Sequence, residues 1–122
     1  MRVTLVAAAA YNILGGVGIL LLLPSIAPII HFDPTGPALF RMFAGGTAVL
    51  FGIAYLAVCK DYRRNRPLLV CGTALKLWAF AISVFGYVTS ALSWEVLLLF
   101  GVGNLMFAVL FTRCLLAYRI PK

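Results

Sequence analysis

Apolar residues run along the chain in four blocks, 4–23, 38–58, 68–88 and 94–113, separated by short polar or proline-marked links. Each approaches the ~20 residues needed to cross a bilayer core of ~30 Å. Inside lipid the backbone finds no water, so such blocks fold as helices that satisfy their own N–H and C=O groups. The pattern predicts an all-α, four-helix transmembrane bundle, up-down-up-down with short links, as a single domain over residues 1–122. Pro24 closes the first block, and Asp33-Pro34 with Pro37 marks a turn before the second. Pro67 is expected at the first position of the third helix, where a missing N–H costs nothing. Ser93 is expected to cap the fourth, with Glu95 in its first turn. Residues 25–32 are apolar but short and contain Pro28, which predicts an interfacial segment rather than a crossing. Met1-Arg2 and the alanines at 7–10 resemble a signal peptide, but the apolar run continues to Leu23, longer than such a segment allows.

Composition agrees with the pattern. A soluble domain of 122 residues has too much surface to hide a chain that is 64% hydrophobic, with mean hydropathy +1.08. The net charge of +7 does not point to nucleic acid, because the cations cluster at helix ends, where headgroups lie. Eight of the ten cations, Arg2, Lys60, Arg63, Arg64, Arg66, Arg113, Arg119 and Lys122, fall at one end of the expected bundle. The positive-inside rule then predicts that both termini are cytoplasmic. Lys60, Arg63, Arg64 and Arg66 are the expected contacts to anionic lipid headgroups. Tyr62, Tyr87, Trp94 and Tyr118 fall near the interfaces, where aromatic belts form.

Two cations remain, Arg41 and Lys76. Asn12 is ten residues from Arg2, Lys76 nine from Pro67 and Asn104 nine from Arg113. At 1.5 Å per residue all three lie about 13–15 Å deep and share one layer. On the third helix Gly72, Lys76, Ala79, Ser83 and Gly86 form one small, polar face. Ala8, Asn12 and Gly16 align on the first helix, Ala44, Ala48 and Gly52 with Tyr55 near them on the second, and Gly101, Asn104 and Ala108 on the fourth. Small residues let transmembrane helices approach closely, so these faces are expected to line the interior, packed rather than hollow. No carboxylate matches the depth of Lys76. Four fates are open to it: snorkelling toward the cytoplasmic end, a structural knot with Asn12 and Asn104, pairing with a carboxylate of another subunit, or a lipid, quinone or small anion as ligand. Tyr55 joins this candidate site.

At the other end Arg41, Asp33 and Glu95 are expected to form an outer-face charge cluster. His31, the only histidine, reads as an exposed loop residue. Cys59, Cys71 and Cys114 have neither metal nor redox spacing and are expected to be small buried hydrophobes. There is no nucleophile–base pair, carboxylate dyad or phosphate-cradling loop, so neither catalysis nor a cofactor or metal is expected.

Tyr11-Asn12 with Gly15-Gly16, Phe40-Arg41 with Gly45-Gly46, Phe51-Gly52 with Tyr55, Asp61, Arg64-Asn65-Arg66-Pro67, Gly72 with Lys76-Leu77, and Gly103-Asn104-Leu105 together cover most of the chain. In these phrases the sequence resembles the small four-helix bacterial membrane proteins described as DoxX-like. The resemblance implies a multi-pass inner-membrane protein, in a group part of which serves as the small membrane subunit of quinone-linked oxidoreductase complexes. It carries over no catalytic residue. The leading expectation is a non-catalytic accessory subunit of a larger inner-membrane assembly, plausibly a redox one, in contact with other membrane subunits or with copies of itself. The alternative is a small carrier or binding protein for a lipid, quinone or small anion, with a cavity bordered by Asn12, Lys76 and Asn104. A homo-oligomeric channel is disfavoured, because the polar residues form no continuous stripe across the bilayer.

Overall fold

A computed structural model describes residues 1–31 and 38–118. Four helices are each long and apolar enough to cross a membrane: α1 (Arg2–Leu21), α2 (Ala38–Lys60), α3 (Tyr62–Val88) and α4 (Trp94–Ala117). No strand occurs among the described residues. Leucine, valine and phenylalanine side chains such as Val3, Leu14, Leu50 and Phe85 cover the outward faces. Facing acyl chains, these side chains carry no hydrophobic penalty, so the helices associate through close packing and internal hydrogen bonds.

The link between α2 and α3 is a single residue, Asp61, and the basic residues on either side of it are helical. Asp61 caps α3, its carboxylate accepting from the Arg64 N–H at 3.1 Å. Asn65 Nδ2 donates to the Ala57 carbonyl at 3.1 Å and the Asp61 carbonyl at 3.0 Å, joining the two helix ends. Pro67 therefore lies inside α3 rather than at its first position, because this cap starts the helix at Tyr62. At the opposite end Ser93 caps α4, its hydroxyl oxygen accepting from Val96 N at 3.4 Å and its O–H donating to the Ile30 carbonyl at 2.6 Å. Residues 23–26 continue the first helix and turns follow to His31, so the apolar run after Pro24 makes no further crossing.

Glycines set how closely the helices meet. A β-carbon at Gly16 would lie 2.6 Å from the Gly45 carbonyl oxygen, and one at Gly52 would lie 3.0 Å from that of Ala9. α1 and α2 thus approach backbone to backbone from the Gly16–Gly45 crossing to that of Ala9 and Gly52. α3 and α4 meet where Ser83 lies against Gly101, and Leu92 covers Gly86. The two hairpins join at the basic end. There Leu5, Ala8, Ala9, Tyr55, Val58, Leu69, Phe107, Phe111 and Cys114 form the core. Tyr55 crosses to Gly72 of α3 and stands edge-on to Phe111 at 4.8 Å.

Two stretches depart from α-helical winding: Gly18–Leu22 in α1 and Leu97–Val102 in α4 are π-helical. Both lie in the half of the bundle away from the basic end. π-turns are rare and occur disproportionately at functional sites.

Candidate functional site

The layer counted from the sequence forms. Lys76 is 1% exposed. Its Nζ donates to Asn12 Oδ1 and, at 3.0 Å, to Asn104 Oδ1. Both amides are held by their other ends: Asn12 Nδ2 donates to the Ala48 carbonyl at 3.2 Å, and Asn104 Nδ2 to the Phe100 carbonyl at 2.6 Å. That orientation turns both amide oxygens toward the ammonium. Three rings complete the surround, with Nζ 4.9 Å from the centroid of Tyr11, 5.4 Å from Phe107 and 5.6 Å from Tyr55. Lys76 therefore does not snorkel, because two amide oxygens and a ring of π-faces hold its head inside the bundle.

The π-helical stretch of α4 takes part. The Tyr11 hydroxyl donates to the Leu99 carbonyl at 2.5 Å, and the Phe100 carbonyl receives Asn104. Side chains of α1 and α4 thus tie onto carbonyls of the π-helical stretch. Tyr55 lies beneath the ammonium, fully buried, its hydroxyl without a hydrogen-bond partner among the described residues.

Above this layer, away from the basic end, the hairpins separate. Along the small face of α2, Tyr55 and Gly52 are buried, Ala48 is half-buried and Ala44 is exposed. The gap is a cavity of about 740 Å³, to which all four helices contribute. Asn12, Lys76 and Asn104 border it, Tyr11, Ala44, Thr47 and Ala79 line its sides, and Phe43 and Trp78 flank it on α2 and α3. Its walls are overwhelmingly apolar, and its size falls within the ~300–1,000 Å³ typical of small-molecule sites. The expectation of a tightly packed interior holds for the basic half and fails here. Small side chains bring backbones together within each hairpin, but between diverging hairpins the same side chains leave space unfilled.

The remaining candidates fall elsewhere. Lys60, Arg63 and Arg64 are exposed and Arg66 is half-buried at the basic end. Asp33 lies outside the described residues. Arg41 is half-buried in the first turn of α2, but the side-chain contact seen at this face is a hydrogen bond between His31 Nδ1 and Glu95 Oε1 at 2.8 Å. The proposed Arg41–Glu95 contact gives way to this pair, because the Ser93 hydroxyl on the Ile30 carbonyl draws the two links together. Cys71 is exposed on the lipid face rather than buried, Cys59 is half-buried and Cys114 is buried. No cluster of His, Cys, Asp or Glu suited to a metal occurs among the described residues. Sequence reasoning missed Tyr11, Thr47 and Phe107 as site residues. The signal for Phe107 was its i+3 spacing from Asn104. No protein-family model, curated protein or solved structure matches the chain.

Proposed function

We propose that this protein is a non-catalytic, multi-pass protein of the bacterial inner membrane that binds a lipid-soluble ligand between its two hairpins. The location rests on the clustering of cations at one end and on the DoxX-like resemblance. The observation that carries the binding role is the apolar cavity bordered by Asn12, Lys76 and Asn104. Its walls suit a hydrocarbon body, and its bound cation suits an oxygen-bearing head. A small hydrated anion is a poor fit, since the walls offer few donors to replace its water. The accessory-subunit reading rests on the absence of a soluble domain and of a catalytic set and on a buried cation without an internal counter-charge; the amide oxygens of Asn12 and Asn104 solvate that cation without adding a charge.

The test is native mass spectrometry of protein purified in mild detergent. The expected result is retained lipid-soluble molecules. These are lost from a Gly15→Leu, Ala44→Phe variant, which fills the cavity at two positions that line it; a β-carbon at Gly15 meets nothing within 4 Å. Ligand-free wild-type protein that migrates with other membrane chains overturns the binding role in favour of the accessory one.

A further inference from the structure

We infer that the ligand is a lipophilic monoanion: a single hydrocarbon chain or compact apolar body ending in one negatively charged oxygen group, of which a fatty-acid carboxylate is the plainest example. The inference rests on the binding role proposed above and specifies the chemistry of its ligand.

Charge comes first. Two amide oxygens and three ring faces turned on Nζ are the surroundings of an ammonium, while the oxygens that hold it belong to neutral amides. The described acidic residues are Asp61 and Glu95, and both lie at helix ends. The site therefore keeps a net unit charge in a low-dielectric interior, the condition under which an entering anion gains most. An ammonium has three N–H donors, and two reach acceptors. Each amide N–H₂ donates once to a backbone carbonyl, as does the Tyr11 hydroxyl, while the Tyr55 hydroxyl beneath the ammonium has no partner among the described residues. The ammonium itself is enclosed by the two amides and three rings, so its charge rather than an open N–H is what it presents to the cavity it borders. Thr47, which lines the same cavity, adds a hydroxyl.

Depth comes second. Lys76 is fourteen residues after Tyr62 and twelve before Val88, about 21 and 18 Å along α3 at 1.5 Å per residue. It lies near the middle of a hydrocarbon layer ~30 Å thick. The phosphate of a phospholipid is anchored at the headgroup level and does not reach that depth, so the anion must belong to a molecule able to sink its head into the core. Size agrees. At about 740 Å³ the cavity lies within the range of small-molecule sites and has room for a single hydrocarbon chain.

Trp78 lines the cavity but is also 65% exposed, and Trp94 is the only other tryptophan, so in a Trp94→Phe background the quenching of Trp78 by dibrominated chains that is lost on adding Gly15→Leu and Ala44→Phe reports occupancy. Three sixteen-carbon probes with the same tail are compared in neutral detergent: the carboxylate, the alcohol and the trimethylammonium. The carboxylate is expected to bind at least tenfold more tightly than the alcohol, with the cation weakest. Lys76→Met should reduce the carboxylate–alcohol difference to under twofold, while Arg41→Gln should preserve it. The comparison of heads on unaltered Lys76 needs no variant that risks unfolding. Equal binding of carboxylate and alcohol overturns the monoanion and leaves the cavity's binding role standing. Loss of the preference in Arg41→Gln moves the anion to the rim and also overturns it. Failure of all three probes to quench Trp78, with no change on adding Gly15→Leu and Ala44→Phe, overturns the binding role together with this inference.

Discussion

Gly15 and Gly16 are adjacent in α1, yet the structure assigns opposite consequences to a methyl group at each. A β-carbon on Gly15 meets nothing within 4 Å. One on Gly16 lies 2.6 Å from the Gly45 oxygen, 2.8 Å from Val49 Cγ2 and 3.0 Å from Val49 N. Ordinary contact begins near 3.4 Å, so α1 and α2 would have to part by about 0.8 Å at this crossing (3.4 minus 2.6). Two of the three obstacles are backbone atoms, which do not rotate away. A gap of 0.5–1 Å forfeits a quarter to a half of each neighbouring van der Waals contact. Overpacking of this kind costs about 1–3 kcal/mol. Replacing glycine by alanine in a helix returns about 0.4–1 kcal/mol by restricting the unfolded chain. Gly15→Ala is therefore expected to stabilise the bundle by about 0.5 kcal/mol and Gly16→Ala to destabilise it by about 1–2 kcal/mol. Reversible unfolding by sodium dodecyl sulfate in mixed micelles, followed by circular dichroism, measures both against wild type. Equal shifts in one direction, or a gain in stability for Gly16→Ala, would refute the account of a backbone-to-backbone hairpin.

Asn12→Leu and Asn104→Leu each remove one acceptor from Lys76. In double-mutant cycles with Lys76→Met each pair should couple by about 0.6–1.7 kcal/mol in the same unfolding assay, and additivity would mean that the bonds contribute nothing. Tyr11→Phe deletes the tie between α1 and the π-helical stretch of α4. It should cost about 0.5–1.5 kcal/mol and speed amide exchange at residues 97–102; unchanged exchange would show that the hydroxyl does not hold that turn. Orientation is tested in a cysteine-less chain carrying His31→Cys or Arg64→Cys. A membrane-impermeant maleimide added to intact spheroplasts should label the first and spare the second, and the reverse pattern defeats the assignment of cytoplasmic termini.

The fold was legible because lipid restricts the choice: four apolar blocks admit only helices, and the observed spans lie within a few residues of the expected ones. The layer of Asn12, Lys76 and Asn104 was legible for a similar reason. A constant rise per residue turns counting into depth, and helical phase put all three on small-residue faces. The hollow above them was not legible, because alanine at 44 reads the same whether it meets a neighbouring helix or empty space. That difference is set by the angle between hairpins, which no single helix encodes. The π-helical turns were hidden too, since Gly18–Leu22 and Leu97–Val102 look like ordinary apolar helix. The His31–Glu95 pair depends on how two links fold over the same end, a matter of three dimensions rather than spacing.

The seam where Tyr55 meets Gly72 has a further implication. Tyr55, Leu69 and Phe111 are fully buried there, so the hollow ends in a cul-de-sac at mid-bilayer. On the proposed binding role, traffic from one leaflet to the other would require prying that aromatic floor apart, which would make the molecule a berth rather than a conduit.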